Sequence, residues 1–313
     1  MARTRLLWLG IALVVICLLF LAWNLRGPVW FILGLRSTKL AALVLVGGAT
    51  GVATVLFQTV TSNRLMTPGL VGFDALFVFL QTMLILTLGG LGYARLPDGV
   101  SFVFEALVLL GAAQLLFFGL LRKNAGDVMK MVLTGIILGT LLRGLADLGQ
   151  RLLDPSEFAM LQSATFASFG AVAPERLWIA AAVFVGVLVA AQRLSPALDV
   201  AVLGRTTGRG LGLGYDRLIL QALAMVSVLV AVSTALVGPI TFLGLLAASL
   251  AREILPSNRH RHILPAAAMV GAIILVAGQF LFERVFGLQS TLAVVVELLG
   301  GALFLYLVLK RRP

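Results

Sequence analysis

Charged residues are scarce in this chain of 313 residues: Asp, Glu, Lys and Arg make up 12%, against 60% hydrophobic residues. Soluble domains carry roughly 25% charged residues, and a chain this apolar cannot cover a water-facing surface with polar groups. A soluble enzyme and a disordered chain are both excluded, and the sequence reads as an integral membrane protein. Cysteine occurs once, as Cys17 within an apolar run, so neither an intrachain disulfide nor a cysteine metal cluster can form. Histidine occurs twice, His260 and His262, in a basic stretch read as solvated surface. His-Glu-x-x-His, Gly-x-Ser-x-Gly and Gly-x-x-x-x-Gly-Lys-Ser/Thr are missing. No catalytic residue, metal site or resident cofactor is expected.

What is abundant is hydrophobic sequence long enough to cross a bilayer, which takes about 20 apolar residues per helix. The first run, 6–23, has a basic start like a signal peptide but is long and lacks a small-residue cleavage site, so it reads as a membrane helix. Further runs cover 39–60, 70–91, 102–121, 128–146, 175–192, 217–237, 238–251, 264–282 and 291–309. These predict an all-α, polytopic protein of about ten membrane helices, one transmembrane domain over 1–313. The apolar segment 158–169 is too short to span and reads as a re-entrant or surface helix.

Basic residues mark the orientation, because they concentrate on the cytoplasmic side. With the N-terminus inside, 16 of the 24 Lys and Arg residues are cytoplasmic, both termini lie there, and the opposite face is nearly balanced in charge. The net charge of +11 thus reports topology and a basic inner surface, and no nucleic-acid partner.

Polar residues inside apolar spans are costly and mark helix contacts or pathways. Gly47, Gly51, Thr54 and Gln58 recur on one face of the second helix, a pattern that serves either close packing or a translocation path. Asp74 reads as a favourable charge at the start of the third helix, at its cytoplasmic end. Glu105 reads as solvated near an outer helix start, and Glu297 as deep in the last helix, facing a partner subunit or an aqueous cavity. Arg36, Lys39 and Arg284 stand out on the face with few cations. They read either as interfacial snorkelling residues or as contacts for an acidic partner. The glycine-rich stretch 204–214 lacks the Lys-Ser/Thr pair of a phosphate loop, so any ATP that drives the protein is bound by another chain.

Several motifs occur together in order. Val237-Gly-Pro-Ile-Thr-Phe-Leu-Gly-Leu-Leu precedes Ala251-Arg252 and Arg259-His-Arg-His-Ile-Leu-Pro265; Gln58 precedes Asn63-Arg64-Leu65-Met66-Thr67-Pro68-Gly69-Leu70-Val71-Gly72; Leu299-Gly-Gly-Ala-Leu-Phe-Leu-Tyr-Leu closes the chain. This series resembles the FecCD-type permeases, the membrane subunits of ABC importers for ferric siderophores, haem and cobalamin, over nearly the whole chain. The variants Asn-Arg-Leu-x-Thr-Pro and Gly-Phe-Asp are similar to the petrobactin and anguibactin branch.

The resemblance implies the cobalamin-importer-like fold of type II ABC importers and inward transport of a ferric siderophore of catecholate or mixed type. Haem or cobalamin is the alternative cargo, and a lone ion-coupled transporter using Glu297 the competing class. Implied partners are a second FecCD-type permease subunit, as heterodimer before homodimer, an ABC ATPase dimer that binds ATP and magnesium, and an external binding protein. By motif position, Arg36, Lys39 and Arg284 correspond to binding-protein contacts. A cytoplasmic coupling loop, 194–216, corresponds through Leu203, Gly204, Arg205, Thr206, Arg209, Leu211 and Gly212, with two family glutamates replaced by Arg205 and Thr206. Gly51, Thr54, Gln58, Asn63 and Leu65 fall on the path and its cytoplasmic gate. The implied location is the bacterial cytoplasmic membrane.

Overall fold

A computed structural model describes residues 1–25, 27–95, 98–121, 128–170, 172–287 and 292–310. The described chain is all helical: α1 (Ala2–Ala22), α2 (Val29–Thr61), α3 (Phe73–Ala94), α4 (Asp98–Leu121), α5 (Val128–Gln150), α6 (Pro155–Thr165), α7 (Pro174–Ala201), α8 (Arg205–Gly210), α9 (Tyr215–Val237), α10 (Leu243–Ile254), α11 (His260–Phe280) and α12 (Leu292–Lys310). Among the described residues, seven helices are long and apolar enough to cross a membrane: α1, α2, α3, α5, α7, α9 and α11, the last continued by a π-turn to Val285. With the shorter apolar stretches 99–115 of α4 and 293–306 of α12, and the twelve-residue α10, they approach the expected set of about ten.

The most buried helix is α2, where nearly every residue from Ala42 to Val60 is covered. Its glycine stripe explains how neighbours come so close. A methyl group built on Gly47 would collide with the backbone of Gly271 in α11, and one on Gly51 with Ala267. Missing side chains here let two backbones touch, the usual route to helix association where lipid leaves little hydrophobic drive. Around this pair pack α9, α10 and α7. By contrast α1 lies against α11 and turns Leu7, Trp8, Ile11, Val14, Val15 and Leu18 outward, the pattern of a lipid-facing helix.

Two boundaries differ most from the apolar runs. Helix α2 begins at Val29, ten residues before the run at 39, so Arg36 and Lys39 sit inside a helix. Polar Ser37 and Thr38 interrupt the run without breaking the helix, because their hydroxyls donate to the carbonyl of Gly34. At the other boundary, α7 continues through Pro196 to Ala201, so the first part of the 194–216 segment is helix and the connection itself is 202–214.

After α2 the chain turns back into the bundle. Gly72, at φ +101°, lies against Gly135 and Gly139 of α5, where both the left-handed backbone and the contact exclude a side chain. Thr82 of α3 meets Gly149 further along, so α3 and α5 run parallel. Since Gly139 is eleven residues into α5, α3 starts about 16 Å along the α5 axis at 1.5 Å per residue. Asp74 therefore lies at depth in the bundle, and not at the membrane surface as its position after a cytoplasmic loop implied. The short helix expected at 158–169 is α6, begun by a capping box in which Asp154 and Glu157 each hold the other's backbone.

Candidate functional site

One end of the bundle carries Arg5, Arg64, Arg252 and α8, and is called the basic end below. There, Gly204 at φ +91° ends the α7 connection and starts α8, a backbone that only glycine adopts without strain. The six-residue helix is held down by charge. Arg205 lies 3.3 Å from the Asp216 carboxylate, and Arg209 also pairs with that group in the first turn of α9. Gly208 packs under the Tyr215 ring. The two arginines expected to face a partner are thus turned partly back onto their own subunit, because Asp216 supplies the nearest opposite charge. What projects instead is apolar: Val202, Leu203 and Leu211 are each more than half exposed, beside exposed Thr206 and Gly212. A cluster of this kind on a polar end marks an interaction surface.

The loop after α2 is pinned by two hydrogen bonds. Gln58 Nε2 donates to the carbonyl of Arg64 at 2.6 Å, and Asn63 Oδ1 accepts the N–H of Leu65 at 3.0 Å, an Asx turn. Gln58, Asn63 and Leu65 are therefore brought together as one structured loop. Gly51 and Thr54 are not part of it: Gly51 packs on α11, and Thr54 faces Gly244 of α10 with its hydroxyl unpartnered. Of the two roles open for the stripe, close packing is what these positions do inside the subunit. Beside them a cavity of about 30 Å3 is lined by Thr50, Thr54, Asp74, Ser233, Thr234 and Thr241, with Thr241 donating to Asp74 at 2.6 Å.

His260 overturns the reading of a solvated loop histidine. It is 4% exposed, and it joins three helices. Its ring Nδ1 and backbone N–H both meet Asp199 Oδ1 of α7, at 2.6 and 2.8 Å, while Nε2 lies 2.8 Å from the Thr59 hydroxyl of α2. His262 is only partly buried, with Nδ1 near the Ser257 hydroxyl at 3.2 Å. Nothing in the linear pattern of Arg259-His-Arg-His separated the two. The signal was the register of α11, which turns His260 inward at its first residue.

At the opposite end the three expected docking cations converge, in different states. Arg36 is buried and donates to the carbonyls of Leu21 and Trp23, both at 2.8 Å, closing the C-terminus of α1. Lys39 pairs with Glu283, which also accepts from Gln279 at 2.8 Å. Arg284 has no acidic partner among the described residues. Glu105, expected in solvent, is 5% exposed. It lines a polar cavity of about 290 Å3 with Gln81, Tyr93 and Arg176, because α4 presents it to α3 and not to water.

Two charges remain where a membrane helix should have none. Arg143 lies on an exposed face of α5 and Glu297 on an exposed face of α12, and both are within electrostatic reach of Asp74. Gly300, one turn from Glu297, packs against Phe242.

The fold and these two ends define a multi-pass helical membrane protein. The model of the FecCD transport family matches residues 17–310, and the chain belongs to that family of transport permeases. It is 38% identical over 302 residues to the petrobactin import system permease protein YclO of Bacillus subtilis (strain 168), covering 96% of this chain and 95% of that one. It is 33% identical over 277 residues to the petrobactin import system permease protein FatC of Bacillus anthracis, covering 88% and 78%. Among solved structures, an inward-facing metal-chelate type ABC transporter superposes with a TM-score of 0.86 at 22% identity over 99% of this chain and 100% of that one, which extends the likeness to the fold.

Proposed function

We propose that this chain is the membrane-spanning permease subunit of an ABC importer that carries a ferric siderophore, of catecholate or mixed type, into the cell. The relatives' names support the cargo class, since both are petrobactin import permeases. The observation that carries the assembly is the apolar rim of Val202, Leu203 and Leu211 around α8 at the basic end. In this reading that end is cytoplasmic, by the excess of basic residues, and an ABC ATPase dimer that binds ATP and magnesium docks on it. A binding protein delivers the cargo at the opposite end, where Arg284 and the Lys39–Glu283 pair lie. Arg143 and Glu297 support a second permease subunit, because a charged side chain within a span almost always faces protein or an aqueous cavity. In the relatives' branch a different permease is the expected partner, with a homodimer as the other arrangement. No cofactor is assigned to the chain itself, since the cargo brings its own iron coordination.

Reconstitution tests the proposal. With its ATPase, second permease and binding protein in liposomes, the chain should move ferric siderophore inward only when ATP and the binding protein are both present. Uptake driven by a proton gradient alone would refute it in favour of an ion-coupled carrier.

A further inference from the structure

At the basic end, the termini of α2, α7, α10 and α11 enclose a cavity of about 160 Å3. Its polar lining is Gln58, Thr59, Ser62, Arg64, Arg252, Asn258 and His260. Two guanidinium groups share it: Arg252, partly buried at the last turn of α10, and Arg64, on the loop after α2. They repel each other across the space, and neither has a hydrogen bond from its side chain or an acidic partner among the described residues. The acid on α7 that could have answered them, Asp199, is held by two contacts to His260 at 2.8 and 2.6 Å. Gln58 donates to the backbone carbonyl of Arg64, which fixes the loop that carries the second cation.

Two like charges facing one cavity, without an internal counter-ion, raise each other's energy, and an oxyanion between them removes that cost. Guanidinium groups also present planar forks of donors that match phosphate oxygens. A phosphate group with a few waters fits this volume, at about 30 Å3 per water. We propose that the cavity is an oxyanion site that takes a phosphate group between Arg64 and Arg252, with Ser62 and Asn258 as neutral donors. The occupant ties the loop after α2 to α10, and so braces the basic end of the bundle. The site is independent of which cargo the protein carries. Its phosphate comes either from an anionic lipid headgroup or from solution.

Equilibrium dialysis of radiolabelled inorganic phosphate against the full-length chain tests this at fixed ionic strength. The chain is held in nanodiscs of phosphatidylcholine alone or with phosphatidylglycerol. In phosphatidylcholine, wild type should show saturable binding. Arg252→Gln and Arg64→Gln should each weaken it roughly tenfold, as loss of a charge-assisted hydrogen bond predicts. Arg259→Gln, at the same end but outside the cavity, should bind as wild type does. If phosphatidylglycerol abolishes the binding, the natural occupant is a lipid headgroup; if binding persists, it is a free anion. Absence of saturable binding in phosphatidylcholine, or unchanged binding in both cavity variants, overturns the proposal. Should Arg252→Gln not fold, Arg64→Gln decides, because its side chain is exposed on a loop.

Discussion

Replacing Asp199 by alanine removes one carboxylate and leaves two donors of a buried histidine unanswered. In the native chain Asp199 Oδ1 takes the His260 backbone N–H at 2.8 Å and the ring Nδ1 at 2.6 Å. A buried polar group left without its partner costs about 1–3 kcal/mol. The Asp199 side chain is 33% exposed, so water recovers part of this, and about 2 kcal/mol is the expected net loss from the two bonds. For domains somewhat smaller than this chain each kcal/mol moves Tm by about 2–4 °C, and the shift shrinks with length, which makes a drop of about 3–4 °C in a detergent-solubilised melt followed by size-exclusion fluorescence. Asp199→Asn keeps an acceptor oxygen in place and should lose less than half as much. Because Asp199 lies one turn before the apolar rim at Val202, Asp199→Ala should also lower siderophore uptake per ATP in the reconstituted complex. A melt within about 1 °C of wild type would refute the buried network, whatever happens to transport.

Two further expectations follow from the ends of the bundle. Leu203→Ser with Leu211→Ser should leave the melt unchanged and weaken ATPase co-purification by a factor of at least about ten, since burying one leucine contributes about 1.5–3 kcal/mol; undiminished co-purification would remove the apolar rim as a docking surface. Arg284→Glu should weaken binding-protein docking in a surface-immobilised assay without changing the melt, whereas Arg36→Glu should lower the melt because it uncaps α1; the reverse pattern would mean that Arg36 and not Arg284 faces the partner.

The span count was legible because apolar length is a one-dimensional property, and runs such as 217–237 coincide with α9 to within two residues. Depth was less legible. The segment 62–72 looks like an ordinary loop, yet its glycine at 72 meets α5 at Gly135 and Gly139 and carries Asp74 well inside. Burial of single polar residues was least legible. Glu105 and His260 both follow from which way one helix is rotated, and α4 has too weak an amphipathic pattern to announce it. The glycine stripe of α2 announced its own role only halfway: spacing showed one face, and the Gly271 backbone opposite showed that the face packs on a helix. At α8 the matched stretch of the sequence overlaps the helix, but the partner of its arginines, Asp216, lay outside that stretch.

The same contrast in charge separates the two faces that the subunit turns to its surroundings. On α1, every exposed residue from Leu7 to Trp23 is apolar, so lipid can cover that stretch at no electrostatic cost. On α5 and α12, the exposed residues include Leu141, Leu145, Leu298 and Leu305, and among them stand Arg143 and Glu297. A charge at mid-span costs about 2.5–3.5 kcal/mol on insertion scales, so lipid would pull each toward a surface or neutralise it. Arg143 is seven residues from the end of α5 at Gln150, and Glu297 is five residues from the start of α12 at Leu292. At 1.5 Å per residue these are depths of about 10 and 8 Å, more than a turn inside on both helices. Their opposite signs, their similar depth and their common neighbour Asp74 make one polar band across these two helices. Such a band is stable against protein or against enclosed water, which is the ground on which a second permease subunit is proposed above.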